Sequence, residues 1–244
     1  MRPIVTNKLN ALALSAAILA VFPAFAQNSA QVSYDAKAVA QAARVKEPAG
    51  LRAAAESGLR ALIAETTKDV PAGTIPDGFP FAVNDLSELR NATLGLGFEV
   101  HTAHPQTLLA GGRPFDQMLL GTGIWNFVVL SDSHPVALVE LEKVDGKWTV
   151  IAAGASKLAQ DIQVSSQNHS GKNAFRFVRL YQATADFLEV KDSEAKARYV
   201  PLIAARQSLR MTSAVSASEP LATGAEILPA IQEAVRGHLA RFGK

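Results

Sequence analysis

Hydrophobic and polar residues alternate along the middle of the chain, as they do in half-buried β-strands. Three β-rich segments, 124–131, 135–144 and 147–154, are separated by turn residues. The pair Asp145-Gly146 favours a type I′ hairpin turn, because both positions need a positive φ. This turn places one apolar set on a single face: Ala137, Val139, Leu141, Trp148, Val150 and Ala152. The pattern predicts an antiparallel sheet with one buried face.

A second alternating segment covers residues 174–190. Because successive side chains of a strand point to opposite faces, two sets separate here. One set is Phe175, Phe177, Arg179 and Tyr181, and the other is Arg176, Val178, Leu180 and Gln182. Residues 197–211 are predicted to form a further strand, although their pattern also fits a helix.

Helical periodicity surrounds these strands. An Ala-rich segment starts at Asp35, and a helix is predicted from Pro48 to about Lys68, since proline suits a first helical turn. Its apolar face contains Leu51, Ala55, Leu59, Leu62 and Ile63. A short helix near 156–162 precedes a polar loop at 163–173. The last helix is predicted to start near Pro229, because an earlier start at the capping-box pattern Thr223-x-x-Glu226 would place this proline inside the helix.

Glycine and proline punctuate residues 69–123, which predicts a long irregular connection with one short helix near 84–91. The order of elements is helix, then strands, then helix. This order is typical of an α+β domain, here an antiparallel sheet of about five to six strands packed against N-terminal and C-terminal helices. The predicted organisation is a segment 1–26, described next, and a single domain over 27–244.

The N-terminus has the pattern of a secretory signal peptide. Arg2 and Lys8 precede an apolar run at 11–22, and Ala24 and Ala26 supply the small residues that a signal peptidase accepts. A membrane anchor needs roughly 20 apolar residues, and Pro23 ends this run early. We therefore expect cleavage between Ala26 and Gln27, a periplasmic or secreted protein, and no stable membrane insertion afterwards.

Composition narrows the chemistry further. The chain contains no cysteine, which excludes disulfides, thiol nucleophiles and thiolate metal ligands. It contains 24 basic and 22 acidic residues, and loss of Arg2 and Lys8 with the signal peptide makes the two numbers equal. Because the mature chain then carries no basic excess, nucleic acid is not an expected partner.

The segment Leu130-Ser-Asp-Ser-His-Pro-Val136 contains the residue types of a hydrolase triad side by side. A triad needs members from separated segments that align in a row. Four neighbours before a proline are more typical of a turn, so we predict the tip of a hairpin. His101 and His104 form an H-x-x-H pair, but His104 precedes Pro105, and an extended chain points the two to opposite faces. We predict no catalytic residue, no metal site and no cofactor.

Ligand contacts are predicted instead at Trp125, Arg176, Arg179 and Tyr181. An arginine that shares a sheet face with aromatic rings can bind a carboxylate or stack on a ring. From the sequence we therefore expect an exported binding or interaction module. We expect a non-enzymatic protein rather than an enzyme. Its partner would be a small molecule or another envelope protein.

Two alternatives stay open. One is a periplasmic hydrolase that uses His101, His104 or His134 with a carboxylate from elsewhere in the fold. The other is a partner subunit whose 69–123 segment orders on binding.

Overall fold

The sheet consists of two antiparallel meanders that meet along one parallel pair of strands. The structure, a computed structural model, describes residues 46–71, 73–169, 175–191, 194–211 and 221–242. The strands are β1 (Thr93–Thr102), β2 (Leu120–Ser131), β3 (His134–Val144), β4 (Lys147–Gly154), β5 (Arg176–Leu180), β6 (Ala185–Lys191), β7 (Ala197–Pro201) and β8 (Ala222–Thr223). Their order is β4-β3-β2-β1-β5-β6-β7-β8, and β1 with β5 is the parallel pair. The α+β class is thus confirmed, but the sheet has eight strands and is mixed, not five to six antiparallel ones.

Helices cover both faces of this sheet. They are α1 (Leu51–Thr67), α2 (Pro105–Ala110), α3 (Ser156–His169), α4 (Ile203–Ser208) and α5 (Gly224–Phe242). On one face, α3 buries Leu158 and Ile162 against the central strands. On the other face, α1 packs on the first meander and α5 on the second. The central strands of the sheet are therefore buried on both faces.

The predicted N-terminal helix is present, but Pro48 does not start it: Pro48 lies in a turn before the helix, where its carbonyl accepts from the Leu51 amide at 3.2 Å. The helix begins at Leu51, buries Leu51, Ala55 and Leu59, and packs Leu62 and Ile63 against the same cluster. The C-terminal helix begins earlier than predicted, at Gly224, and Pro229 lies inside it. The reason is a formed capping box: the Glu226 carboxylate accepts from the Thr223 amide at 2.6 Å, and the Thr223 hydroxyl accepts from the Glu226 amide at 3.3 Å. These bonds hold the first turn although Pro229 has no amide to donate.

Both predicted hairpin tips are confirmed as two-residue turns with positive φ at each position. The values are 45° and 68° at Asp132 and Ser133, and 50° and 79° at Asp145 and Gly146. The β3–β4 register differs at one point. A bulge places Leu141 opposite Val150 and Glu140 opposite Ala152, so Ala153 replaces Ala152 on the buried face.

Residues 69–123 differ most from the prediction of a long irregular connection. They contain the central strand β1, helix α2 and a 3-10 turn at Phe115–Gln117, besides the expected short helix, a 3-10 turn at Leu86–Asn91. Gly95 and Gly97 lower the strand propensity of β1. Gly97 is required there, because an added Cβ would lie 2.4 Å from the Phe127 ring on β2.

Two further segments differ from the prediction: one helix is longer than expected, and one segment forms two elements. Helix α3 continues to His169 through the predicted polar loop, and buries Gln163, Ser165 and Ser166. Residues 197–211 contain both of the predicted alternatives, the strand β7 and then helix α4. The start of α4 is fixed by Asp161 of α3, whose carboxylate accepts from the Ile203 amide at 2.6 Å.

The predicted signal peptide, its cleavage point and the helical segment from Asp35 lie outside the described residues, apart from the last residues before α1. Within the described ranges, no helix has the length and apolar character needed to span a membrane.

Candidate ligand-binding cleft

One lateral row of residues crosses the sheet on the face that carries α1 and α5. The strand registers place Leu141, Trp125 and Glu99 side by side on β3, β2 and β1. In the parallel pair β1–β5, Val100 lies opposite Phe177. The preceding residue of each strand is then its neighbour's counterpart, so Glu99 on β1 lies beside Arg176 on β5. The row then continues through Glu189 on β6 to Tyr199 on β7. Charged side chains thus lie at the centre of a sheet between apolar ends.

A wide bulge in β2 interrupts this row beside Glu99. Glu99 pairs with Trp125 and His101 pairs with Gly121, so the three residues 122–124 face Val100 alone. The Thr122 hydroxyl donates to the Val100 carbonyl at 2.8 Å and accepts from the Ile124 amide at 3.1 Å. These bonds replace lost ladder bonds and fix the bulge in one shape. Bulges recur next to binding and active sites because they redirect side chains.

The bulge forms the floor of an open cleft of ≈ 630 Å³, which we call the bulge cleft. Both tryptophans of the chain line it. Trp125 is only 4% exposed, whereas Trp148 is half-buried and carries the Lys143 ammonium over its ring, 5.2 Å from the centroid. The remaining lining residues are Lys46, Pro48, Glu99, Thr122, Gly123, Ile124 and Glu142.

Four charged side chains line the bulge cleft, and none of them forms an ion pair within the described ranges. They are Lys46, Glu99, Glu142 and Lys143. One oxygen of Glu99 accepts from the Gly123 amide at 3.0 Å, which directs the carboxylate toward the bulge. The cleft therefore presents two cations and two anions whose hydrogen-bonding capacity is largely unused by the protein.

A clamp around Arg52 holds the N-terminal rim of the cleft. Its guanidinium forms a two-point ion pair with Glu47, between the rim residues Lys46 and Pro48. It also donates to the Gly95 carbonyl at 3.2 Å, where a bulge in β1 leaves backbone groups unpaired, and lies 4.9 Å from the centre of the Phe127 ring. The clamp thus ties the segment before α1 to β1.

The other half of the row forms a paired cluster, which consists of Asp116, Arg176, Glu189, Lys191 and Tyr199. Glu189 is 2% exposed and accepts from Arg176 at 2.6 and 2.8 Å. It also accepts from the Tyr199 hydroxyl at 3.3 Å and lies 3.2 Å from the Lys191 ammonium. Burial, together with the negative charges of Glu189 and Asp116, raises the pKa of Tyr199 far above its ordinary value.

The structure separates the four residues predicted to contact a ligand. Trp125 lines the bulge cleft, and Arg176 lies on the same face beside Glu99 but points its guanidinium into the paired cluster. Arg179 lies on the opposite face, where it forms two hydrogen bonds with Asp186 at 2.9 and 3.0 Å. Tyr181 is exposed in a 3-10 turn after β5. Ligand contact by these residues stays a prediction, and the four do not form one site.

Sequence reasoning did not select Glu99, Lys143 or Trp148 as binding residues. The hairpin register had placed Trp148 on the inner face, and that was the available signal for it. Glu99 gave none, because an extended segment around His101 does not by itself show which strands lie beside it. Its neighbours on the sheet are known only once β1 pairs with β2 and β5.

The hydrolase candidates lie at two ends of the same strands. His101 pairs with Gly121 near the start of β2, and its ring contacts the Glu99 carbonyl at 3.2 Å. His134 pairs with Ser131 at the far end of β2, in the confirmed hairpin tip. The Ser131 hydroxyl donates to the Glu88 carbonyl at 2.7 Å. His104 precedes α2, and the described residues contain no group of three or more His, Asp or Glu side chains arranged to hold a metal.

Comparison with known protein families, with curated proteins and with solved structures finds no match for this chain. The function of this chain therefore has to be inferred from the chemistry of the bulge cleft itself.

Proposed function

We propose that the protein is an exported, non-enzymatic binding module and that the bulge cleft holds its small-molecule ligand. One observation carries the proposal: both tryptophans and four charged side chains that form no ion pair within the described ranges line one cleft at a strand bulge. Its volume lies within the range of roughly 300–1,000 Å³ that ligand pockets occupy. Aromatic surface with a few directed polar groups is the composition that such pockets have.

Export is the second part of the proposal. The basic start, the apolar run at 11–22 and the small residues Ala24 and Ala26 support a signal peptide that is removed before Gln27. The test is to express the full chain with a C-terminal tag in a Gram-negative bacterium and to fractionate the cells. We expect tagged protein in the periplasm with Gln27 at its N-terminus. A cytoplasmic protein that retains Met1 would contradict export.

The hydrolase alternative gains less support from the positions of its residues. His134 and His101 lie toward opposite ends of β2, and Ser131 is engaged with the backbone of Glu88. A nucleophile and its base have to lie within hydrogen-bond reach of one another. A binding module needs no such pair.

Binding is tested by tryptophan fluorescence, since both tryptophans line the cleft. The purified protein is titrated with single L-amino acids, dipeptides, disaccharides and nucleosides. We expect at least one of these probes to change the emission and to raise the melting temperature, because a ligand that binds the native state stabilises it. Trp148→Phe should remove most of the fluorescence response while the thermal shift remains. If no probe shifts either signal, the proposal of a small-molecule site is wrong.

A further inference from the structure

The bulge cleft has a charge pattern of its own that points to the chemistry of its ligand. Glu99 lies at the floor, where its carboxylate accepts from the Gly123 amide on the bulge. Lys46 lies on the segment before α1, and Lys143 lies on β3. Both signs of charge therefore face one cleft from different structural elements.

We infer that the bulge cleft binds zwitterionic ligands of the α-amino acid or short-peptide class, an inference that rests on the proposed binding function. Glu99 accepts hydrogen bonds from the ligand ammonium group, and the ammonium groups of Lys143 and Lys46 donate to the ligand carboxylate. Such charge-assisted bonds are about twice as strong as neutral ones. A ligand with both charges satisfies groups that the protein leaves unpaired.

Ligands of a single charge fit this arrangement less well. A pure anion would be repelled by Glu99 and Glu142, and a pure cation would be repelled by the two lysines, because like charges at short range cost free energy. With two residues of each sign, the lining is formally neutral and matches a ligand of net charge zero.

A neutral sugar also fits less well. A sugar ring that stacks on an aromatic side chain needs an open face of that ring. Trp125 is 4% exposed, so its ring offers little contact area. Trp148 has the Lys143 ammonium above its ring. One ring is therefore buried and the other is engaged by a cation, while four charged side chains line the same cleft. The apolar surface of Ile124 and Pro48 then suits the side chain of an amino acid.

The test compares each binding amino acid or dipeptide with its N-acetyl and its C-amide derivative. Each derivative loses one charge of the probe and with it a charge-assisted hydrogen bond, so we expect each to bind about tenfold or more weakly. Binding is measured by calorimetry, which does not depend on the tryptophans. Equal affinity for the free and the blocked probes would overturn the inference.

Variants assign the two ends of the ligand. Glu99→Gln should remove the preference for the free amine over the N-acetyl probe, and Lys143→Gln should weaken the preference for the free carboxylate. Glu99→Asp keeps the charge and should keep the amine preference, which separates lost recognition from lost folding. Glu65→Gln and Lys147→Gln are matched controls, because both residues are exposed and neither lines the cleft.

The outcomes also distinguish this inference from the proposed function. If maltose or a nucleoside binds and no amino acid or dipeptide does, the cleft is a binding site but the inference about zwitterions is wrong. If Glu99→Gln binds free and N-acetyl probes with the wild-type ratio, the inference is wrong as well. If no probe of any class binds, the proposed function and the inference fail together.

Discussion

The two halves of the charged row across the sheet differ in how their charges are satisfied. On β5–β7, Arg176, Glu189 and Tyr199 bond to one another, and Lys191 and Asp116 complete the cluster. On β1 and β2, Glu99 lies beside Trp125 and receives one bond, from the Gly123 amide. Both halves lie on the same face, and each lies next to a helix. The paired half holds the structure together, and the unpaired half has hydrogen-bonding capacity left for a ligand.

The cause of the difference is local. Strands β5 to β7 pair in regular register, so that facing side chains meet directly. The bulge at 122–124 interrupts the β1–β2 ladder beside Glu99, and its three residues line the cleft. Substitutions in the two halves should therefore lower the free energy of unfolding by different amounts.

The largest effect is expected from Glu189→Ala in the paired cluster. It leaves the buried Tyr199 hydroxyl without its acceptor and removes the partner of Arg176 and Lys191, whose side chains are 31% and 32% exposed. Because water can reach these two cations, we expect a loss near the lower end of the about 3–5 kcal/mol that breaking a buried pair costs. Urea unfolding followed by circular dichroism measures the loss. Glu99→Gln, in the unpaired half, should change the free energy of unfolding by less than about 0.5 kcal/mol, as for a substitution that keeps shape.

Similar losses for the two variants would remove the distinction between the halves. If Glu99→Gln destabilised the protein by as much as Glu189→Ala, Glu99 would belong to the structural framework. The unpaired half would then offer no carboxylate that is free for a ligand.

An intermediate effect is expected from Gly97→Ala in β1, directly below the Arg52 clamp. The added methyl would lie 2.4 Å from the buried Phe127 ring and 2.9 Å from the Glu47 carboxylate, so the ring or the strand that carries Gly97 has to shift. Overpacking of this kind costs about 1–3 kcal/mol. Thr93→Ala is the matched control, because Thr93 is exposed on the same strand. An unfolding midpoint of Gly97→Ala equal to that of the control would show that the first meander tolerates the displacement.

Within the paired cluster a smaller effect at neutral pH is expected from Tyr199→Phe, which removes one bond to Glu189, worth about 0.5–1.5 kcal/mol. The pH dependence sharpens the test. Because the folded pKa of Tyr199 is raised above its ordinary value of 10.0, the unfolded chain releases this proton first, and the free energy of unfolding falls as the pH rises above that value. In Tyr199→Phe, the decrease in the free energy of unfolding at alkaline pH should be smaller by the part that Tyr199 contributes.

Phenolate absorbance gives an independent measurement, since the chain has three tyrosines. In the folded protein, one of them should resist ionisation until alkaline unfolding, and this fraction should be missing in Tyr199→Phe. Full ionisation of all three tyrosines in protein that is still folded would contradict the buried position of Tyr199.

Local patterns predicted the local elements. The Asp145-Gly146 pair identified a hairpin, the spacing of Leu51, Ala55 and Leu59 identified α1, and the clustering of Ser131 to His134 identified a turn. Each of these depends on neighbours in sequence, and each is confirmed.

Pairing between distant segments was not predictable in the same way. The glycines of β1 look like loop residues until Phe127 and Arg52 are placed against them. The start of α5 at Gly224 depends on whether a capping box offsets a later proline, which composition alone does not decide. The bulge cleft needed both kinds of information, since its floor, its rim and Glu99 come from segments that meet only in the fold.

The parallel pair β1–β5 has a consequence for the order of folding. Every other strand pair described joins neighbours along the chain, whereas Val100 and Phe177 are separated in sequence by strands β2 to β4 and by helices α2 and α3. Contacts between distant residues form late, because closing a long loop costs entropy before the contact is made. We therefore expect each meander to assemble first and the two to join last, so that amide hydrogens along this seam exchange earlier than those within either meander.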